Sequence, residues 1–172
     1  MRKNIKLLVL DVDGTLTDGK IYISNDGEIM KAFNVKDGFA IHELLPAAGI
    51  IPAIITGRSS QILTRRCEEL GIAHFYQGVS NKIEKLDELL YILSKQNNTH
   101  YGYDVVSYMG DDINDLSCMV AIKKAGGLIG CPSDAVKSVK SISDFISSST
   151  GGNGAVREFI EWLIDEVNNQ LI

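Results

Sequence analysis

The chain has 172 residues, 45% of them hydrophobic and 23% charged, with 17 basic against 22 acidic side chains and a net charge of −5. That length suits one globular domain with a sizeable core and excludes both a disulfide-stapled miniature and a multidomain machine. The acidic balance excludes a general nucleic-acid surface, because phosphate backbones are gripped by clustered Lys and Arg in excess, so any anionic ligand must be held locally.

In chain order, the first element is a short apolar run, Ile5 to Leu10, interrupted by Lys6. It is too short for a signal peptide's apolar core or a membrane span, and it reads as a buried strand. Residues 20 to 33 carry strand formers on both sides of Asn25-Asp26-Gly27, a strong hairpin signal, and a lone hairpin needs something to pack on. Ile50 to Ile55 predicts a second buried strand. Ile62, Leu63 and Leu70 then predict a helix capped by Ser59 or Ser60 and stopped by Gly71.

Ile83, Leu86, Leu90 and Leu93 keep helical spacing after Asn81; Val105 to Met109 predicts a third strand; Leu116, Met119 and Val120 mark another helix. Leu128 to Ile129 reads as a fourth strand, and Val156, Phe159, Ile160, Leu163, Ile164 and Val167 as a long final helix. Strands alternating with helices predict an α/β fold, a doubly wound, Rossmann-like parallel sheet with a projecting hairpin. Residues 1–172 read as one domain. Cys67, Cys118 and Cys131 are an odd number without a Cys-x-x-Cys pair, which fits a reducing cytoplasm.

Ligands of open α/β sheets bind where strand carboxyl ends meet their loops. Four polar sets fall there: Asp11-Val12-Asp13-Gly14-Thr15, Thr56-Gly57-Arg58, Asn81-Lys82, and Gly110-Asp111-Asp112-Ile113-Asn114-Asp115. Singly, each has a bland reading as an Asx-turn, a helix cap or a solvated side chain. Together, Asp11, Asp13, Asp111, Asp112 and Asp115 gather up to five carboxylates beside one lysine, and each close like pair costs on the order of 4 kcal/mol at an effective dielectric of about 20. Hard oxygen donors of this kind suit Mg²⁺ with substrate phosphate oxygens.

These four motifs, in this order, resemble those of the haloacid dehalogenase (HAD) superfamily of phosphatases. The likeness sharpens over Asp11 to Gly19, Phe33 to Gly38, Ile55 to Arg58, Tyr76 to Lys82 and Gly151 to Glu158, which are similar to the 3-deoxy-manno-octulosonate 8-phosphate phosphatases across nearly the whole chain. The resemblance implies Asp11 as nucleophile, Asp13 as general acid and base, and Thr56 and Lys82 holding the transferring phosphoryl group. It implies Mg²⁺ on the Asp11 and Asp111 carboxylates and the Asp13 carbonyl, with Asp112 and Asp115 in support. It also implies sugar-acid contacts from Asn34, Asp37, Gly38, Gly57, Arg58 and Arg66.

Two positions depart from the family pattern: His42 and Asn153 stand where related enzymes often carry Arg. Nine-carbon sialic-type 9-phosphates are therefore an alternative substrate, although Arg58 differs from the Glu of the deaminated-sialic branch. Only the hairpin and one helix occupy the gaps where many relatives insert a cap domain. The site is then expected to be covered by a neighbouring subunit of a homotetramer. Two rival readings use similar residues: a phospho-accepting receiver module, disfavoured because Gly-Asp-Asp follows Lys82, and a phosphotransferase or mutase, disfavoured by the missing cap. The three histidines show no metal spacing, and the Gly126-Gly127 and Gly151–Gly154 clusters read as turns.

Overall fold

The computed structural model describes residues 4–168. Its centre is a six-stranded parallel sheet in the order β5-β4-β1-β6-β7-β8, and a separate two-stranded antiparallel hairpin is made by β2 and β3. The strands are β1 (Leu7–Leu10), β2 (Tyr22–Ser24), β3 (Gly27–Met30), β4 (Ile51–Ile55), β5 (His74–Tyr76), β6 (Val106–Met109), β7 (Leu128–Cys131) and β8 (Phe145–Ile146). β1 is apolar at every position because it is covered on both faces. Leu8 and Leu10 enter one core with Ile54 and Phe159, whereas Leu7 and Val9 enter the other with Ile55, Leu86 and Met119.

Helices fill those two layers. α1 (Val35–Phe39), α2 (Leu45–Ala47), α3 (Gln61–Glu69) and α7 (Ala155–Asn168) cover one face; α4 (Lys82–Gln96), α5 (Leu116–Ala125) and α6 (Lys137–Lys140) cover the other. Ser60 caps α3, its hydroxyl accepting from the Leu63 N–H at 3.3 Å. Among the described residues no helix is long and apolar enough to cross a membrane.

The doubly wound α/β sheet matches the sequence expectation. The hairpin turn is the two residues Asn25-Asp26, closed by the Ser24–Gly27 pair, with an irregularity between Tyr22 and Ile23. Two edge strands, β5 and β8, have no counterpart in the sequence reading; at three and two residues they are too short to show a period. The helical stretch from Val35 to Ala47 was likewise not anticipated. Its middle, Ala40–Leu44, is a π-helical turn, and Gly38 and Pro46 mask the spacing of Ile41 and Leu45.

Candidate active site

β1 lies between β4 and β6, so three strand ends open onto one rim of the sheet. The Asp11 N–H donates to the Met109 carbonyl at 3.0 Å, which carries the ladder one residue past β1 and fixes Asp11 at that rim. The chain then folds sharply, with the N–H groups of Thr15, Leu16 and Thr17 all converging on the Val12 carbonyl. Gly14 sits in this turn at φ +92°, and a Cβ there would lie 2.1 Å from Asp111 Oδ2. Only glycine lets the loop close onto Asp111.

On the other side, β6 ends in Gly110, Asp111 and Asp112. Asp115, fully buried, holds this loop. Its Oδ2 accepts from the Asp111 and Asp112 N–H groups at 3.1 and 3.3 Å. Its Oδ1 accepts from Lys82 Nζ at 2.7 Å and the Tyr108 hydroxyl at 2.8 Å. Lys82, at the start of α4, also lies 2.9 Å from Asp11 Oδ1. The lysine therefore bridges the first and third loops from beneath.

Carboxylate oxygens of Asp11, Asp111 and Asp115 come within 4.8 Å of one another. With four donors already on it, Asp115 has its acceptor sites filled and is a holder of the loop and of Lys82. Asp11 and Asp111 are different. Burial first, then the Asp115 charge, pushes Asp11 up to about 6 despite the opposing pull of Lys82. Burial and the Asp11 and Asp115 charges push Asp111 up to about 7, with a Thr15 hydroxyl bond at 3.2 Å opposing them. Burial works against the Lys82 charge, but Asp11 and Asp115 outweigh it and raise the ammonium above its ordinary range. Tyr108, buried beside Asp115 and Asp11, is held neutral.

Above these groups is a cleft of about 280 Å³, lined by Asp11, Asp13, Asp111 and Asp112 on one side and Thr56, Gly57 and Arg58 on the other. Thr56 is pinned through its backbone: its N–H donates to Tyr76 and its carbonyl accepts from Val79, both at 3.0 Å. Asp112 makes no contact with Lys82. It caps the short 3-10 turn Ile113–Asp115, accepting from the Ile113 N–H at 2.7 Å.

Four residues expected at the sugar lie elsewhere in their own chain. Asn34, Asp37, Gly38 and Arg66 surround a separate cavity of about 10 Å³ between α1 and α3. The reason is packing. Asn34 caps α1 through the Lys36 N–H, Asp37 accepts from the Arg157 N–H of α7 at 2.8 Å, and a Cβ on Gly38 would lie 2.2 Å from the Arg66 guanidinium. Arg66 lies over the Phe33 ring and pairs with Glu69 at 2.8 Å. His42 Nδ1 lies 3.0 Å from the Leu70 carbonyl, and Asn153 lines a surface hollow with Lys36 and Arg157.

The sequence reading missed other groups. Lys31, at the foot of the hairpin, pairs with Asp13 and lies 3.2 Å from Glu28. Glu28 accepts from the Ser60 hydroxyl, and Arg58 lies 3.7 Å from Asp13 Oδ2. A charged residue beside a strand carries no local sign of such a partner. The turns at Gly151–Gly154 press on the Asp11 loop: Gly152 N–H donates to the Thr15 carbonyl at 3.0 Å, and a Cβ on Gly151 would lie 1.9 Å from the Gly14 carbonyl. The three cysteines are free and buried, and burial pushes the Cys67 and Cys118 thiols up to about 11 and about 12, so neither is a nucleophile.

No family model matches the chain. It is 41% identical over 176 residues to the 3-deoxy-D-manno-octulosonate 8-phosphate phosphatase KdsC of Salmonella typhi, covering 99% of this chain and 88% of that protein. The crystal structure of the Moraxella catarrhalis 3-deoxy-D-manno-octulosonate 8-phosphate phosphatase, in complex with magnesium ion, phosphate ion and KDO, is 40% identical and superposes with a TM-score of 0.83 over 97% of this chain and 90% of that one. A HAD-superfamily, subfamily III A hydrolase of Legionella pneumophila is 38% identical, with a TM-score of 0.84 over 97% and 86% of the two chains.

Proposed function

The chain belongs to the 3-deoxy-D-manno-octulosonate 8-phosphate phosphatase family of HAD-superfamily phosphoric monoester hydrolases, and from that premise we propose that it releases phosphate from 3-deoxy-D-manno-octulosonate 8-phosphate through an aspartyl-phosphate at Asp11. The observation that carries this reading is the Asp11–Lys82–Asp115 bridge with Asp111 close by, a buried carboxylate held in place at the floor of an open cleft.

The donor set fits Mg²⁺. Two carboxylates, the buried Asp11 and the half-buried Asp111, are held so close that both are pushed towards the protonated form, an arrangement a divalent cation relieves. The Asp11 and Asp111 carboxylates and the Asp13 carbonyl would hold the ion, which supplies charge neutralisation at the phosphoryl oxygens when bound. The chain's own residues do the rest. Asp11 attacks phosphorus, the bond to the sugar oxygen breaks, and Asp13 gives that oxygen its proton. A water then attacks the acyl phosphate, Asp13 takes its proton, and inorganic phosphate leaves with Asp11 restored. Thr56 and Lys82 hold the phosphoryl oxygens as charge builds on them.

Arg58, exposed at the cleft mouth beside Gly57, suits the substrate carboxylate. Asn34 and Arg66 line a cavity apart from this cleft, beside the buried Asp37 and Gly38, so their contact with a sugar acid is proposed across a subunit boundary. The exposed Ile21, Ile23, Ile29 and Met30 of the hairpin support such a boundary there. A homotetramer in the cytoplasm, each hairpin seated on a neighbouring copy, completes the proposal.

The test is a phosphate-release screen over eight- and nine-carbon keto-acid phosphates with Mg²⁺ present. Fastest turnover on the eight-carbon 8-phosphate is expected. Preference for a nine-carbon 9-phosphate overturns the substrate, and stoichiometric phosphorylation without phosphate release overturns the hydrolase mechanism in favour of a receiver-like module.

A further inference from the structure

Asp13 has a partner that the phosphoryl-transfer machinery does not account for. Lys31 leaves the end of β3 and turns inward, so that its side chain, 4% exposed, ends on Asp13 Oδ1. A lysine is seldom buried to this degree without a job, because burying its stem and fixing its rotamers costs about 2 kcal/mol of side-chain entropy before any charge is desolvated. Lys31 is in turn braced by Glu28 Oε1 at 3.2 Å. The other Glu28 oxygen accepts from the Ser60 hydroxyl, and Ser60 is tied by its N–H to Gln77 Oε1 at 2.7 Å and by its hydroxyl to the start of α3. A continuous polar chain thus runs from the sheet edge through the hairpin foot to Asp13. On the far side Arg58 Nε stays 3.7 Å from Asp13 Oδ2, outside hydrogen-bond range.

We propose that Lys31 is a positioning residue for the acid–base step: it occupies Asp13 Oδ1, fixes the carboxyl rotamer and leaves Oδ2 as the oxygen that exchanges the proton with the leaving sugar and then with water. The proposal rests on the reading of Asp13 as general acid and base. It makes the hairpin part of the catalytic apparatus of its own chain, whatever it does for a neighbour. Because misplacing a proton donor by about 1 Å costs on the order of 10²-fold, Lys31→Met is expected to lower kcat by about that factor with little change in KM.

The experiment compares two substrates and two backgrounds, with thermal melting read alongside. An alkyl or sugar phosphate needs its leaving oxygen protonated, whereas a nitrophenyl phosphate does not. Read as single-turnover formation of the aspartyl-phosphate, which isolates the leaving-group step from the water step shared by both substrates, Lys31→Met is expected to slow the first about 10²-fold and the second less than about 3-fold. Added to Asp13→Asn it should cause no further loss on the first. Lys31→Arg, which keeps a cation on Oδ1, should recover part of the rate. Equal losses on both substrates in this first step, or losses that multiply in the Asp13→Asn background, overturn the proposal, since Lys31 would then act on phosphate or on folding. Near-normal sugar-phosphate hydrolysis by Asp13→Asn alone overturns the acid–base reading beneath it. If Lys31→Met melts below the assay temperature, Glu28→Gln carries the same comparison: it loosens the brace while leaving Lys31 on Asp13, with the same substrate dependence at a smaller size.

Discussion

The rim of the sheet and the hairpin beside it solve opposite problems. At the rim, Asp11, Asp111, Asp115 and Lys82 are set by strand ends and glycine turns, deep enough that their charges strongly disturb one another. The hairpin leaves Ile23 68% exposed and Ile29 59% exposed, and its inward reach at the foot is the polar chain of Glu28 and Lys31. One region gets its precision from a buried scaffold. The other leaves apolar side chains exposed and gets local order from ion pairs. The buried charged groups sit at strand ends anchored by the core, whereas the hairpin is a segment that the core does not anchor.

The sharpest way to break that contrast is at the rim. Asp11→Asn removes the attacking carboxylate while keeping its shape and leaving Lys82 paired to Asp115; we expect kcat to fall at least about 10⁴-fold with the melting temperature lowered little. Residual turnover within about 10-fold of wild type, measured by phosphate release, removes Asp11 from the mechanism. Asp115→Leu attacks the scaffold instead. It leaves Lys82 with Asp11 as its one remaining carboxylate partner and strands the Tyr108 hydroxyl and two backbone N–H groups, so a loss of about 3–5 kcal/mol is expected in denaturant unfolding. A loss below about 1 kcal/mol would show that the loop is held by something other than this carboxylate.

The rim also predicts how stability answers to pH. Asp11 and Asp111 have folded-state values of about 6 and about 7 against 3.8 when unperturbed. The folded state therefore binds more protons than the unfolded chain between those values, and stability falls as pH rises from about 4 to about 7. Mg²⁺ stabilises the ionised pair, so its effect on melting should be larger at pH 8 than at pH 5, by on the order of 5 °C. Equal stabilisation by Mg²⁺ at both values in differential scanning calorimetry would mean that the carboxylates do not share the ion.

At the hairpin the expected signature is reversed. Replacing Ile23 and Ile29 by Ser should leave the unfolding midpoint of the subunit core within about 0.5 kcal/mol, since exposed side chains contribute little to it, while dissociating the assembly in sedimentation. If the oligomer survives intact, the hairpin is not its seat.

The contrast also explains what the sequence disclosed. Asp11, Thr56, Lys82 and Asp111 were legible because each follows or precedes a strongly patterned element, and the parallel sheet brings such ends to one rim. Lys31 and Glu28 were not, because their partners are set by how the hairpin folds back, which no local period encodes. Arg66 was legible as a residue but not as a location: its guanidinium packs against Phe33 and Gly38, and only the tertiary arrangement of α1 on α3 reveals that. β5 and β8 went unseen because edge strands this short depend on their neighbours for their identity.

The smallest expected effect falls on the residue where the motif is most easily over-read. Asp112 stands between two carboxylates of the cluster, yet it lies at the surface of the cleft, and its side chain accepts from backbone N–H groups, that of Ile113 and, in a capping box, that of Asp115. A capping carboxylate of this kind contributes about 1 kcal/mol. Asp112→Ala should therefore cost about that much in stability and lower kcat by less than about 10-fold, through loosening of the Asp111 backbone. Asp112→Asn, which keeps the cap, should recover both. A kcat loss of 10³-fold in Asp112→Asn would place Asp112 among the groups that touch the reacting atoms, and would move the boundary between scaffold and chemistry one residue further into the loop.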